Sequence, residues 1–465
     1  VEDIVKRIAT KFAKNNAELY LVGGTVRDII LNRESHDIDM ATNIHPDKIK
    51  ELLDEFGSIY SIGEAFGTIG LNTASITIEV TTYRGEKYTS DSRNPTVTFS
   101  DNIYDDLSRR DFNINAMAID LIRSINHGVD TIIDPFNGQE DIKNKVIRCV
   151  GDFNERFSSD PLRMLRAIRF ACQFGFSLGI RIEHPERLEI ISKERIRDEF
   201  TKIILSYRAS FGVRKLCQTG LMYYVAPEFM DLRYIPQGKN HTKDAYEHSL
   251  LVLHKGSKVD AGNRNLIFRL ACIFHDIGKP ETKIEDDDGV HFYGHHNVGA
   301  RKTRKILRRL RYNNEIVNSV CHLIKYHMTP IVLQREIRNG RIRKRIIMRL
   351  VRKVGEDNIY LLLDLVRCDI RSSKNPRYKF ITILTRLVNK CMKEQPETLT
   401  SPISGVEIME AFNLKPSKAI GDIKNYLTSL VIDGKLNKDD RESAFAKARE
   451  YIKHKNEIND MYKMQ

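Results

Sequence analysis

The sequence predicts an α+β chain, with a small mixed head built on an antiparallel-rich sheet and an all-helical remainder. Two observations carry that division. Up to about residue 138, short apolar runs with a period of two alternate with Gly, Pro, Asn and Asp breaks. Beyond about 140 the apolar residues recur every three or four positions, the spacing of helices. The length, 465 residues, exceeds what one core serves and implies two to four domains.

Composition narrows the class. No stretch stays apolar for 18 residues, so no transmembrane helix and no membrane partner are expected. The first residues, VEDIVKRIATKFAKNN, are amphipathic and charged and lack the apolar core of a secretion signal. Cys149, Cys172, Cys217, Cys272, Cys321, Cys368 and Cys391 are widely spaced and form no CxxC pair. They are expected as buried free thiols in a reducing cytoplasm. A net charge of +13 favours a polyanionic partner without identifying one.

In chain order, a helix over 4–16 leads to a strand over 20–22, a turn at Gly23 and Gly24, and a helix over 25–32. His36-Asp37-Ile38-Asp39-Met40 alternates as a strand, so Asp37 and Asp39 share one face. Two carboxylates one strand repeat apart, beside a turn with bare amides, suit a divalent ion and a polyphosphate. A polar strand end after a glycine turn is the plain alternative. A helix over 46–56 carries Pro46 in its first turn, and strands follow at 59–62 and 68–71. Over 76–82, Ile76, Ile78 and Val80 face one way and Thr77, Glu79 and Thr81 the other. Glu79 is thus either a third carboxylate or part of a solvated face.

The polar stretch YRGEKYTSDSRNPTVTF predicts a mobile loop. Arg109 and Arg110 then precede Asp111. The guanidinium fork suits phosphate oxygens, and Asp111 can accept a hydrogen bond from a ribose hydroxyl. A charged helix cap explains the same residues without a ligand. Residues 117–123 and 130–134 predict a closing hairpin, and the head ends near Gly138.

In the helical part, Asp160 and Pro161 predict the start of a helix over 160–174, at its N-cap and first position. Asp160 and Arg163 stand three apart and can read base edges as acceptor and donor, or simply form a helix-terminal ion pair. Helices continue over 192–206 and 208–217. Farther on, His248, the doublet His275-Asp276, His295, His296, His327 and Asp369 lie on a helical scaffold. Such a set can hold one or two divalent ions. The His-Asp doublet, ending an apolar helix before Gly278, is the most specific part. Basic runs at 301–311 and 338–353 predict helices with one cationic face, either solvated or a phosphate-backbone footprint. More helices fill 401–465.

Several of these windows together resemble the bacterial class II tRNA nucleotidyltransferase (CCA-adding) and poly(A) polymerase family with an appended HD domain. LVGGTVRD with HDIDMAT resembles its catalytic motif. IEVTTYRGEKYTSDSRNP resembles its mobile loop, and LSRRDFNINAMA with DPFNGQEDI its ribose-selecting segment and neck junction. SDPLRMLRAIRFACQFGF resembles its nucleotide-templating helix, and ISKERIRDEFTKIL the helix after it. The cover is continuous over roughly 1–230; 240–370 resembles the HD domain, and GVEIMEAFNLKPS resembles the RNA-binding tail more weakly. The implied division is a nucleotidyltransferase head at 1–138, a templating neck at 139–235, an HD phosphohydrolase-like domain at 236–385 and a tRNA-binding tail at 386–465.

The resemblance implies addition of CCA, or part of it, to the tRNA 3′ end from CTP and ATP without a nucleic-acid template. Asp37 and Asp39 would then hold magnesium, with Glu79 as a third catalytic candidate. Gly23, Gly24 and Arg27 would meet the triphosphate, Asp111 the ribose, and Asp160 and Arg163 the base. Arg110, Asn115, Arg166 and Arg169 complete the expected nucleotide-binding set. Ser159 stands where the family often has glutamate, which removes an expected orienting partner. The loop with Arg84 and Arg93 disfavours CC-only addition, and the absence of a long basic extension disfavours poly(A) synthesis. A-only addition beside a separate CC-adding enzyme, and a non-catalytic RNA-binding protein, are the alternatives. In the HD portion, His248, His275, Asp276 and Asp369 would hold a transition metal such as Ni, Co or Mn, with His295, His296 and His327 around them. The implied second activity is hydrolysis of 2′,3′-cyclic phosphates or phosphomonoesters, which fits RNA repair. A cytoplasmic monomer or homodimer is expected.

Overall fold

The computed structural model describes residues 2–34, 37–60, 67–73, 76–87, 96–128, 131–237, 243–374, 376–394 and 400–463. His36 and Arg93 lie outside them. The chain divides into two compact units, residues 1–230 and 231–465.

The first unit opens with α1 (Glu2–Lys14), β1 (Tyr20–Val22), α2 (Gly24–Ile30), β2 (Asp37–Thr42) and α3 (Pro46–Leu53). β3 (Ser58–Tyr60), β4 (Thr68–Asn72), β5 (Thr77–Thr82), β6 (Arg84–Lys87) and β7 (Thr96–Phe99) follow. Then come α4 (Ile103–Ser108), β8 (Ala118–Asp120), α5 (Leu121–His127) and β9 (Ile132–Ile133). Seven strands form one sheet in the order β3-β4-β5-β2-β1-β8-β9. Only β2 and β5 run parallel; the other neighbours are antiparallel. This is the mixed, antiparallel-rich head that the alternation predicts. Val22, Ala41, Tyr83, Ile103, Leu107 and Ala118 form a buried cluster under it.

Two local expectations fail in the head. The flanks of the polar loop are not irregular: β6 and β7 pair as an antiparallel ribbon, because backbone ladders need no apolar side chains. Residues 117–133 are not a simple hairpin either. β8 and β9 do pair, but α5 intervenes. Asp120 caps that helix by accepting the Arg123 N–H at 2.9 Å, and Gly128 closes it at φ 66°.

The first unit continues through α6 (Gly138–Lys143), β10 (Val146–Ile147), α7 (Phe153–Ser159), α8 (Leu162–Phe174), β11 (Ser177–Leu178), α9 (Lys193–Leu205), α10 (Ala209–Gln218) and α11 (Met222–Val225). β10 and β11 pair in parallel around α8, a short ladder that the helical pattern hides. Buried Leu165, Ile168, Phe200, Ile203 and Val213 form the seam of α8, α9 and α10.

The second unit contains α12 (Ala245–Gly256), α13 (Asn265–Phe274), α14 (Lys279–Thr282), β12 (Lys283–Asp286), β13 (Gly289–Phe292), α15 (His295–Arg309) and α16 (Asn314–Tyr326). It goes on with α17 (Thr329–Val332), α18 (Gln334–Arg338), α19 (Lys344–Val354), α20 (Glu356–Arg371) and α21 (Lys379–Glu394). The β12–β13 hairpin interrupts the expected helices: Asp287, Asp288 and Gly289 at φ 127° supply the turn. The second basic run is not one helix: Arg338 ends α18, a turn follows with Gly340 at φ 65°, and the rest becomes helical at Lys344. The tail helices α22 (Gly405–Phe412), α23 (Lys418–Ile432) and α24 (Arg441–Lys463) share a core of Ile408, Ile423, Leu427 and Ala444. All seven cysteines are buried free thiols. Among the described residues, no helix is long and apolar enough to cross a membrane.

Candidate active site and metal centre

Gly23 takes φ 66°, ψ −129°, a conformation open to glycine. A Cβ there would lie 2.5 Å from Arg110 Nη1 and 3.3 Å from Asp39 Oδ2, so the bare turn lets both side chains close over it. The Asp39 N–H donates to Thr25 Oγ1 at 2.8 Å, tying β2 to α2. Burial raises the pKa of the Asp39 carboxyl, opposed by Arg110, the Gly24 N–H and Arg27. Asp37 sits exposed at the start of β2, on the same face. The parallel register sets Glu79 on the rung beside Asp39. Desolvation and the charges of Asp39 and Asp37 raise its pKa too. A bound cation would relieve the raised carboxyls of Asp39 and Glu79, and with Asp37 on the same face this makes the edge a fit for a divalent metal.

Asp39 opens into a cavity of about 440 Å³ lined by the Gly23–Gly24 turn, Arg27, Arg109, Arg110, Asp111, Asn115, Asp160, Leu162, Arg163, Arg166, Arg169, Phe170 and Arg195. Seven arginines against three aspartates give it the sign of a triphosphate site. Most of these groups are held. Arg27 donates to Asn115 Oδ1 at 2.6 Å and to Asp28 at 2.9 Å. Arg109 and Arg110 both fork onto buried Asp106; burial would raise that carboxyl's pKa, but the two cations hold it below its ordinary value. Asp111 accepts from Arg166 at 2.7 Å, from Asn115 at 3.0 Å and from the Phe112 N–H at 2.9 Å. Arg169 pairs with Glu199 at 2.7 Å and stacks on Phe170, 3.9 Å from its centroid.

Asp160 and Arg163 share the cavity but form no pair with each other. Asp160 pairs with Arg195 at 3.0 Å and accepts the Leu162 N–H at 3.1 Å, the bond of an N-cap, with Pro161 after it already helical at φ −59°, ψ −20°. Arg163 donates to Ser159 Oγ at 2.8 Å, to Arg156 O at 3.3 Å and to Arg109 O at 3.1 Å. Ser159 therefore orients Arg163, which corrects the expectation that an orienting partner is lost there. Arg195 is the residue that sequence reasoning missed, since nothing local to α9 marks it as the partner of a residue 35 positions away. Arg84 lies on β6 and is not among the lining residues.

The second unit brings the histidines together. His248 Nε2 lies 2.9 Å from Asp369 Oδ1 and 3.7 Å from Asp276 Oδ2. His275 Nε2 is buried 3.2 Å from Asp276 Oδ2 without hydrogen-bond geometry. His295 Nε2 lies 3.5 Å from Asp276 Oδ1 and 3.2 Å from His327 Nε2. Two ligand sets result, His248–His275–Asp276 and Asp276–His295–His327, with Asp276 common to both. His295 and His327 thus stand with Asp276 in a second candidate set, a grouping that the packing of α15 and α16 makes visible, whereas Asp369 meets His248 but falls in neither set. His296 is half-buried, its ring 5.7 Å from that of His295.

Each of three rings has its Nδ1 at a backbone carbonyl: His275 at Cys272 (3.0 Å), His295 at Phe292 (2.8 Å) and His327 at Ile324 (2.7 Å). A donated Nδ1–H leaves Nε2 as the free lone pair, the arrangement a metal ligand needs. Burial and the neighbouring imidazoles lower the pKa of His327 to about 3, so it stays neutral. The orphaned Nε2 of His275 and this donor set fit a transition metal. Lys279, unmarked in the sequence reading, donates to Asp276 Oδ2 at 2.7 Å and to Gln237. Gly278 lets that loop meet α15: a Cβ there would lie 2.6 Å from Gly299 N.

Fold and site together define a nucleotidyltransferase-type head with an HD-type metal centre on the same chain. Residues 19–148 match the family described as "Poly A polymerase head domain". Residues 181–232 match "Probable RNA and SrmB- binding site of polymerase A", and 245–374 match "HD domain". A poly(A) polymerase-type head, the RNA-binding segment described with that polymerase and an HD domain thus match in that order along one chain. Over 214 residues it is 45% identical to a CCA-adding enzyme of Geobacillus sp. (strain WCH70), covering 45% of this chain and 50% of that one. Over 451 residues it is 29% identical to an A-adding tRNA nucleotidyltransferase of Deinococcus radiodurans, covering 91% and 94%. The chain thus spans about half the length of that CCA-adding relative and nearly all of the A-adding one. In fold it is similar to the CCA-adding enzyme of Bacillus stearothermophilus solved with CTP, at TM-score 0.66 and 23% identity over 97% of this chain and 98% of that one.

Proposed function

We propose that the chain is a tRNA nucleotidyltransferase that adds CMP and AMP from CTP and ATP to the tRNA 3′ end without a nucleic-acid template. The observation that carries this is the single cavity in which the glycine turn, Asp39, Asp111, Asp160 and Arg163 meet. The 3′-hydroxyl oxygen forms a bond to the α-phosphorus as the bond to the β-phosphate oxygen breaks and pyrophosphate leaves. Magnesium held by Asp37 and Asp39, with Glu79 beside them, would activate that hydroxyl and neutralise the leaving group. The chain's own part is positional. Arg27 and Arg110 face the phosphates, Asp111 the ribose, and Asp160 and Arg163 offer an acceptor and a donor to the base edge. Asp37→Ala and Asp39→Ala should each abolish incorporation and leave tRNA binding largely intact; turnover retained in both would sink the reading.

A second reading, A-only addition, is favoured by the end-to-end match to the Deinococcus A-adding relative. Supplying labelled CTP or ATP to tRNAs ending at the discriminator base, at C and at CC separates the two. CTP incorporation on the first two supports CCA addition, and ATP incorporation on CC alone supports the second reading.

We further propose that the HD centre hydrolyses 2′,3′-cyclic phosphates or phosphomonoesters. A metal held by His248, His275, Asp276 and Asp369, joined by His295 and His327, would supply an activated water there. Opening a cyclic phosphate and removing the resulting monoester would restore the 3′-hydroxyl that the head requires. The test is metal-dependent hydrolysis of 2′,3′-cAMP and p-nitrophenyl phosphate by wild type and Asp276→Ala, with metal analysis. No hydrolysis with Ni, Co, Mn or Mg and no bound metal would reject it.

A further inference from the structure

A second cavity, of about 780 Å³, adjoins the HD centre in the same compact unit. Asp369, the partner of His248, forms part of its wall. Arg335 and Arg338 on α18, and Arg377 just before α21, line it as well. Arg335 and Arg338 stand three apart on a helix and so share one side of it. All three arginines are exposed, and among the described residues none is paired with a carboxylate. Val332, 75% exposed, adds an apolar shelf to the rim.

A free mononucleotide brings a single phosphate, and the metal centre would take it. Three further guanidinium groups, none of them in an ion pair among the described residues, are then left without a role. An RNA chain brings one more phosphodiester for each nucleotide upstream of its 3′ end, and guanidinium forks suit those oxygens. We infer that the HD centre acts on the 3′ terminus of an RNA chain in preference to free nucleotides, with Arg335, Arg338 and Arg377 holding the upstream phosphodiesters. The inference rests on the hydrolase reading above and names its substrate class. The step adds one water across one ring P–O bond of a terminal 2′,3′-cyclic phosphate: hydroxide joins phosphorus and the released ribose oxygen takes the proton.

Two measurements on the full chain test it. In the first, kcat/KM is compared for 2′,3′-cAMP and for an RNA trinucleotide ending in a 2′,3′-cyclic phosphate. The trinucleotide should be favoured by about tenfold or more, the scale of one or two charge-assisted hydrogen bonds. The combined variant Arg335→Ala, Arg338→Ala, Arg377→Ala should remove that preference and leave 2′,3′-cAMP turnover within about twofold. In the second, a trinucleotide with a 3′-phosphate and a 4-thiouridine is photo-crosslinked to the metal-free protein and mapped by mass spectrometry. Crosslinks within 331–339 or 370–380 support the inference. Equal turnover of both substrates by wild type, or crosslinks only elsewhere, would overturn it. If neither substrate is hydrolysed, the hydrolase reading fails by itself and the crosslinks decide whether RNA occupies this groove.

Discussion

Gly23 shows how much one residue carries. Its backbone conformation excludes a side chain, and the space a Cβ would need is filled by Arg110 and Asp39. Gly23→Ala should therefore impose a strain of about 1–3 kcal/mol and move both groups. A drop in incorporation of at least about tenfold is expected, read from labelled nucleotide on tRNA, with tRNA affinity little changed. Ser159 acts more gently. Arg163 keeps its bonds to Arg156 O and Arg109 O when the hydroxyl is removed. Ser159→Ala should cost about one net hydrogen bond, roughly a fivefold loss in discrimination between CTP and ATP, measured as a ratio of kcat/KM values. Unchanged discrimination would mean that the serine does not orient Arg163 for base reading.

At the scale of an element, α8 does two things at once. Leu165, Ile168 and Ala171 are fully buried, while Arg163, Arg166 and Arg169 recur at intervals of three and reach the cavity. Phe170 joins these roles: it packs edge-on against Phe112 at 5.6 Å, and the guanidinium groups of Arg27, Arg166 and Arg169 lie over its ring. Phe170→Ala should destabilise the first unit by about 3–5 kcal/mol in denaturant titration, and Phe170→Leu by much less. Only the leucine variant isolates the loss of the cation–π contacts, so reduced nucleotide binding by that variant is the diagnostic result. The reading from periodicity reached α8 because helix spacing is local. It also found the cap: Asp160 is extended at φ −143°, ψ 99° and accepts the Leu162 N–H, and Pro161 after it is already helical.

For the whole molecule, buried carboxylates set the acid limit of the first unit. Burial opposes ionisation of Asp106 and Asp111, yet Arg110 and Arg109 beside the former, and Arg166 beside the latter, hold both pKa values below the ordinary carboxylate value. A folded pKa below the unfolded one gives stability that is present above about pH 4 and lost as pH falls through the folded values. Thermal melts between pH 7 and pH 3 should fall steeply below about pH 4, and Asp106→Asn should start lower and flatten that fall. Asp39 and Glu79, whose pKa values are raised, act in the opposite direction and above that window, adding stability as pH falls towards about 4.

The sequence by itself determined the α+β division, the shared face of Asp37 and Asp39, the glycine turn and the His275-Asp276 doublet. Each depends on neighbours within a few residues, where backbone sterics and side-chain period decide the outcome. Tertiary structure alone decided that Glu79 stands on the rung beside Asp39, that Arg195 meets Asp160, and that His295 and His327 join Asp276. Those pairs join residues 19 to 51 positions apart, as Asp276 and His295 or Asp276 and His327. Which distant segments meet is settled by how apolar faces fill a common core, and no local period records that.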